Sequence, residues 1–71
     1  MKALKNKTTG EIIRANGVDL MGDNVRLESG EMKPYPTAWE ENKAAIQSMN
    51  DKGIEYLATT EEYKDFEIIE E

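Results

Sequence analysis

The sequence predicts a single α+β domain, in which an antiparallel β-meander of four or five short strands precedes one central helix and one or two C-terminal strands. Three observations predict this class. Four of the five glycines fall within the first 30 residues, at spacings typical of successive turns. A helix-capping pattern begins at residue 37. A chain of 71 residues has room for only one hydrophobic core.

The meander is predicted from the short segments between the glycines. Val18 and Leu20 flank a charged residue, and so do Val25 and Leu27, as expected of strands that bury one face. Strands are therefore expected at residues 2–6, 11–15, 18–21 and 24–28, with a fifth around 31–35.

Three dipeptides of turn-forming residues separate these strands. They are Asn16 with Gly17, Gly22 with Asp23, and Ser29 with Gly30. The first pair supplies the positive φ angles that a two-residue type I′ hairpin turn needs, and the other two pairs are comparable.

The helix is predicted to start where two prolines, on either side of Tyr35, end the meander. Thr37 and Glu40 have the spacing of a capping box, in which each side chain caps the backbone amide of the other residue. We expect the helix at about 38–51, terminated by Gly53 in a left-handed conformation.

The apolar side chains of this helix form a narrow stripe, which indicates that it packs on a sheet. The stripe comprises Trp39, Ile46 and Met49, widened by Ala38, Ala45 and the stem of Lys43. Trp39 and Tyr56 are expected in the core, because the chain has only one Trp and one Phe to fill it. For Tyr35 and Tyr63, the edge of the core and a contact surface remain open alternatives.

After the helix, residues 54–58 are predicted to form a strand, with Ile54 and Tyr56 facing inward. Residues 59–62 have the pattern of a second capping box, which predicts a short helical turn ending near residue 64 or 65. A last strand is expected at 66–68, with residues 69–71 trailing off.

The composition argues against an enzyme and against cofactor or metal binding. The chain has no Cys and no His, which removes the common nucleophile, general base and zinc ligands together. Neither a GxGxxG pattern nor a P-loop occurs. Asp19, Asp23 and Asn24 do not have the spacing of an EF-hand, and turn formation explains them better than calcium binding. We therefore predict no catalytic, cofactor-binding or metal-binding residues.

Charge is unevenly distributed along the chain. Residues 1–36 carry six basic and five acidic side chains, a net charge of +1, whereas residues 37–71 carry three and ten, a net charge of −7. Such a surface repels phosphate backbones and disfavours direct nucleic-acid binding. The remaining basic candidates for nucleic-acid contact are Lys2, Lys5, Lys7 and Arg14.

The acidic second half has two interpretations. It could mimic a phosphate backbone and so occupy the nucleic-acid groove of another protein, or it could serve only solubility. Aromatic residues near the acids could anchor a partner. The candidate interaction surface is Tyr35, Glu40, Glu41, Glu61, Glu62, Tyr63, Asp65 and Glu67.

Residues 22–30, with the sequence GDNVRLESG, resemble the G-D-x-V-x-L-x-x-G hairpin of many SH3-like small β-barrels. In that hairpin the glycines turn the chain, and the Val and Leu enter the barrel. The resemblance implies that Val25 and Leu27 face inward, and it carries no functional residue.

The chain as a whole resembles small accessory proteins of bacteriophages and prophages. The resemblance rests on KNKTTGE at residues 5–11 and EEYKDFE at residues 61–67. It implies a protein-binding module, encoded by a phage or mobile element, that modulates or inhibits a host or phage protein. The alternative is a structural subunit of a virion or another homo-oligomeric assembly.

The sequence also bears on location. The longest unbroken apolar runs are three residues, at 44–46 and 56–58, so no signal peptide, membrane span or membrane partner is expected. The absence of Cys is compatible with a reducing compartment, and a cytoplasmic location is therefore expected.

Overall fold

The computed structural model describes residues 1–43 and 45–71 with their side chains, and residue 44 as the last residue of a helix. Within this part of the chain, six strands and two α-helices confirm the predicted α+β class. The strands are β1 (Lys2–Asn6), β2 (Ile12–Ile13), β3 (Ala15–Asp19), β4 (Asn24–Leu27), β5 (Met32–Pro34) and β6 (Phe66–Glu70). The helices are α1 (Ala38–Ala44) and α2 (Met49–Leu57), with 3-10 helices at Ile46–Ser48 and Glu61–Tyr63.

The strands form two antiparallel sheets of three strands each, rather than one continuous meander. The first sheet has the order β2-β1-β6, so that the last strand returns to pair with the first, and the second has the order β3-β4-β5. The chain leaves the first sheet at Arg14, whose carbonyl accepts a 2.8 Å hydrogen bond from the Glu28 amide. This bond joins the two sheets.

The turn predicted at Asn16 and Gly17 is wrong, because both residues lie inside β3. Gly17 has φ of 108°, and the register of β3 against β4 shifts between Ala15 and Val18. A glycine at positive φ beside a register shift is typical of a β-bulge. The glycine therefore bends a strand here and does not reverse the chain.

The helical region differs most from its prediction. One helix was expected at 38–51 and a strand at 54–58, but α1 ends at residue 44 and α2 continues through Leu57. Ile54 and Leu57 are both buried, three residues apart, which is helical spacing. Gly53 therefore lies inside α2 and does not terminate a helix.

The capping boxes predicted at the two helix starts are also wrong. None of the side chains of Thr37, Thr59 and Thr60 caps a described amide. Instead, the Thr37 carbonyl accepts a hydrogen bond from the Glu41 amide at 2.9 Å, and the Thr60 hydroxyl donates to the Leu57 carbonyl at 2.6 Å. The second bond closes the end of α2, and the predicted short helical turn follows at Glu61–Tyr63.

The core lies between α2 and the two sheets, because α2 packs on both β1 and β3. The largest buried side chains are Leu4, Val25, Leu27, Tyr35, Ile54, Leu57 and Tyr63. Beyond the end of β2, the Lys2 amide has no neighbouring strand to bond, and it donates to the Asp51 carboxylate at 2.7 Å. This bond ties β1 to α2.

The C-terminal residues are more ordered than predicted. β6 runs through Glu70 and not only to residue 68, and the Glu71 amide donates to the Met1 carbonyl at 2.8 Å. The tail expected at 69–71 is therefore wrong. The described helices include none that is long and apolar enough to cross a membrane.

Candidate functional site

The first helix, α1, shows an inversion of the usual burial preferences. Among its described residues, Ala38 and Asn42 are both fully buried, whereas the Trp39 side chain is 49% exposed. The prediction that Trp39 is core is therefore wrong. A large aromatic side chain is outside and a polar amide is inside, in a chain that has only one Trp.

The buried amide of Asn42 lacks compensation. Neither its Oδ1 nor its Nδ2 finds a hydrogen-bond partner among the described residues. Leaving a buried polar group unpaired costs about 1–3 kcal/mol, so the orientation of α1 is not the one that burial alone favours. Trp39 is held at the surface despite this cost.

Tyr35, a candidate surface residue, belongs to the core. Its side chain is 1% exposed and stacks on Tyr56, with ring centroids 5.0 Å apart. Tyr56 itself is half-buried and packs against the core. Burial, followed by the charges of Glu41 and Glu55, raises the pKa of Tyr35 to about 12. Tyr35 therefore stays neutral and is not a contact residue.

Tyr63 and Glu62 have a structural role around Lys33. The Lys33 ammonium lies 2.6 Å from the Glu62 carboxylate and 2.9 Å from that of Glu31. It also lies 5.9 Å from the centre of the Tyr63 ring, and Tyr63 is only 5% exposed. The hydrogen bonds that the Lys33 ammonium donates to Glu31 and Glu62 raise the pKa of Lys33. This cluster fastens the second 3-10 helix to β5 and removes Tyr63 from the candidate surface.

The charge asymmetry of the sequence is partly compensated by folding. Basic groups of the first half pair with acids of the second half across the molecule. These pairs are Lys2 with Glu55 at 2.8 Å, Arg14 with Glu71 at 2.7 Å, Lys33 with Glu62 at 2.6 Å, and the Met1 amino group with Glu70 at 3.1 Å. Arg14 also lowers the pKa of the Glu71 carboxyl through its hydrogen bond.

These pairs also bear on nucleic-acid contact through the first half. Of the four basic candidates, Lys2 and Arg14 are occupied by carboxylates. The positive surface that a phosphate backbone would need is thereby halved to Lys5 and Lys7.

Four of the predicted acidic residues keep exposed carboxylates without a hydrogen bond or ion pair to the described residues. They are Glu40, Glu41, Asp65 and Glu67. The first two follow Trp39 in the sequence of α1, Asp65 directly precedes β6, and Glu67 lies within β6. Glu61, also predicted, is exposed and pairs with Lys64 three residues later at 3.1 Å.

Trp39 is the functional candidate that the sequence interpretation missed, because the scarcity of large aromatic residues and its place in the apolar stripe assigned it to the core. Asn42 carried the missing signal. It lies four residues after Ala38 and three after Trp39, so its side chain neighbours both of theirs on the helix surface. A face that buries Asn42 can therefore bury either Ala38 or Trp39 beside it.

Surface cavities lie beside the helices. One of about 430 Å³ lies between β3 and the first 3-10 helix and is lined by Val18, Ile46 and Met49, among others. A smaller one of about 270 Å³ beside Tyr35 is lined by Glu41, Lys52 and Glu55. The described residues include no cluster of three acidic side chains arranged to hold a metal ion.

Comparison with known proteins identifies no relative, since no protein-family model, curated protein or solved structure matches the chain. The candidate surface therefore rests on the geometry of α1 and β6.

Proposed function

We propose that this chain is a small acidic protein-binding module, whose principal contact surface is the outward side of α1 centred on Trp39. In this proposal, the module is encoded by a phage or mobile element and modulates a host or phage protein. The observation that carries the proposal is the exposure of Trp39 on the same helix as a buried Asn42 that has no hydrogen-bond partner among the described residues.

This observation supports binding because departures from the usual burial of apolar and exposure of polar side chains are expected at functional sites. Exchanging the two environments would bury an aromatic ring and release a polar amide to water, and both changes favour folding. The retained arrangement leaves a tryptophan for a partner, and tryptophan is among the residues that most often dominate the energy of protein interfaces.

The chemistry of the surface indicates the kind of partner. Lys43, four residues after Trp39, lies on the same face of α1 as the indole ring, whereas Glu40 and Glu41 point to other sides of the helix. A fitting partner has an apolar recess for the indole ring, an acidic side chain near Lys43, and basic side chains towards Glu40 and Glu41. The two carboxylates accelerate the encounter and impose a salt dependence, while the indole provides most of the affinity.

The test is affinity capture from a lysate of the source organism, comparing the wild-type chain with Trp39→Ser. Met21→Ser is the matched control, because Met21 is 90% exposed in the turn between β3 and β4. The partner should be retained by the wild type and by Met21→Ser and lost with Trp39→Ser. Glu40→Lys combined with Glu41→Lys should weaken capture most at low salt.

Fluorescence provides a second measurement, since Trp39 is the only tryptophan. Its emission should shift to shorter wavelengths when the captured partner is added, because the indole leaves water. Equal capture by the wild type and Trp39→Ser, together with unchanged emission, would refute the proposal.

A further inference from the structure

The strand β6 has one open edge. Two backbone hydrogen bonds extend the pairing of β6 with β1: the Lys7 amide donates to the Asp65 carbonyl, and the Glu71 amide donates to the Met1 carbonyl. These bonds show which residues direct their backbone groups towards β1. Hydrogen-bonded pairs alternate along an antiparallel ladder, so Glu67 and Ile69 also direct their backbone groups towards β1. The backbone amides and carbonyls of Phe66, Ile68 and Glu70 therefore point away from the sheet, where β6 has no neighbouring strand.

The other strand edges are blunted, and β6 is not. β5 has three residues and ends at Pro34, and β3 contains the bulge at Gly17 and is covered by α2. β2 has two residues, and the next carbonyl, that of Arg14, is already bonded to Glu28. β6 pairs through five consecutive residues without a register shift. Natural proteins protect long regular edges of this kind, because they accept further strands.

An apolar side chain marks the middle of this edge. Ile68 lies directly opposite Leu4, which is fully buried, yet Ile68 is 42% exposed. The hydrophobic core thus extends past β1 and stops halfway across β6. A strand added beside β6 would cover the exposed part of Ile68.

The charges along β6 indicate which side chains a complementary strand carries. Asp65 and Glu67 are exposed and form no ion pair with the described residues, although Lys7 and Lys5 lie opposite them across the β1–β6 ladder. Glu67 lies on the face opposite to Ile68, because successive strand residues alternate between faces. A complementary strand therefore carries basic side chains on the face of Glu67 and apolar side chains on the face of Ile68.

We propose that the open edge of β6 binds an extended segment of a partner protein as an antiparallel fourth strand of the first sheet, with basic and apolar residues alternating in that segment. The segment bonds to the outward backbone groups of Phe66, Ile68 and Glu70. This site goes beyond the surface proposed around Trp39, since it lies on a different element and binds through backbone hydrogen bonds as well as through charge.

A second copy of the chain fits this edge poorly. If Ile68 pairs with itself in an antiparallel dimer, Asp65 lies opposite Glu71 twice. A shift in one direction places Glu67 opposite Glu67, and a shift in the other places Glu67 opposite Glu71. Like charges directly opposite each other destabilise strand pairing, so the edge disfavours the homo-oligomeric assembly and favours a basic partner.

The experiment uses a short peptide of alternating lysine and valine, blocked at both ends, with the full-length chain. Amide hydrogen exchange by NMR is measured with and without the peptide. We expect the amides of Phe66, Ile68 and Glu70 to exchange about tenfold more slowly at saturating peptide, because they become hydrogen-bonded.

Two methylated peptides test whether the backbone is recognised. In the antiparallel arrangement the valine amides face β6 and the lysine amides face solvent. Methylation of the valine nitrogens should abolish the protection, whereas methylation of the lysine nitrogens should leave it. Equal binding of both methylated peptides would show that charge attraction alone holds the peptide, and it would overturn the proposal. Unchanged exchange of the Phe66, Ile68 and Glu70 amides with the unmodified peptide would overturn it as well.

Charge-reversal variants locate the site. Asp65→Lys with Glu67→Lys should lower peptide affinity about tenfold or more, and Glu40→Lys with Glu41→Lys, which changes the net charge equally, should not. An equal loss in both variants would contradict the assignment to β6. Trp39→Ser should bind the peptide like the wild type. The proposal for the α1 surface and the proposal for the β6 edge can therefore be refuted independently of each other. Self-association of the chain through β6 in sedimentation at neutral pH would also overturn the choice of a basic partner.

Discussion

Asn42 and Trp39 occupy the positions that burial alone would assign to each other. Asn42 is fully enclosed without a hydrogen-bond partner in the described part of the chain, while half of the Trp39 side chain faces water. A conflict of this kind at two neighbouring positions of one helix is expected at a functional site.

Replacing Asn42 with leucine should stabilise the fold. Asn42→Leu removes two unpaired polar atoms and adds apolar contact, and we expect the free energy of unfolding to rise by about 1–3 kcal/mol in urea denaturation. Asn50→Leu is the matched control, because Asn50 Oδ1 accepts a hydrogen bond from the Gly17 amide at 2.9 Å. That control should be destabilised, and destabilisation of Asn42→Leu as well would show that the Asn42 amide is satisfied in solution.

Tyr35 should make the protein sensitive to alkaline pH. Its folded-state pKa of about 12 lies above the ordinary value of 10.0, so the unfolded chain loses the phenolic proton first as pH rises. The stabilising contribution is complete below pH 10 and declines between pH 10 and about 12, with a slope that approaches 1.4 kcal/mol per pH unit.

The variant Tyr35→Phe tests this sensitivity. It has no ionisable group at this position and should show a shallower alkaline decline in urea denaturation. It should also be at least as stable as the wild type at pH 7, since the Tyr35 hydroxyl has no hydrogen-bond partner among the described residues. An unchanged alkaline slope in Tyr35→Phe would contradict the assignment to this residue.

At the level of elements, the alternation of apolar and polar residues predicted strands more successfully than helical spacing predicted helices. Val25 and Leu27 are buried on one face of β4, as their alternation with a charged residue predicted. The glycines at 17 and 53 were misinterpreted, because a glycine signals special backbone geometry or close packing without saying which. Ile54 and Tyr56 fit a strand pattern, while Ile54 and Leu57 fit a helix, and five residues are too few to decide between them.

Gly53 tests the close approach of α2 to the second sheet. A Cβ at this position would lie 2.8 Å from Cγ2 of Val25, which is fully buried. Gly53→Ala should therefore destabilise the protein by about 1–3 kcal/mol through overpacking, despite the better helix propensity of alanine.

The double variant Gly53→Ala with Val25→Ala separates packing from backbone effects. Val25→Ala alone leaves a cavity, and the methyl group that Gly53→Ala adds next to that space should lessen the damage. The two changes should therefore be markedly less destabilising together than the sum of the single effects in thermal unfolding. Simple additivity would show that no steric contact between these positions exists.

For the whole molecule, the sequence predicted the total charge but not its spatial distribution. Lys2 and Arg14 were counted with the basic half, yet the fold places them against Glu55 and Glu71. Long-range pairing of this kind depends on strand order, which local patterns do not contain. The candidate site was therefore predicted in part: the acids of α1 and β6 are exposed, while two of its tyrosines are buried and its tryptophan was assigned to the core.

Strand order also predicts the course of folding. Leu27 in β4 lies among contacts that are close in sequence, whereas Leu4 in β1 contacts β6 across almost the whole chain. Long loops are closed late, so contacts of Leu4 with β6 should be absent from much of the transition state.

A matched pair of substitutions measures this order. Leu4→Val and Leu27→Val each remove one methylene from a buried site and should cost about 1 kcal/mol. Stopped-flow denaturation should show that Leu4→Val mainly accelerates unfolding, while Leu27→Val mainly slows folding. A greater effect of Leu4→Val on the folding rate would reverse the predicted order.

The pairing of β1 with β6 has a mechanical consequence as well. Residues 1 and 71 lie side by side, and the two strands run antiparallel from that point. Tension applied at these residues pulls the strands apart from one end, so the hydrogen bonds of the ladder are loaded singly and in succession. The first sheet therefore opens like a zipper under small forces, and the same strands would resist far more strongly if they were pulled from opposite ends and had to slide past each other.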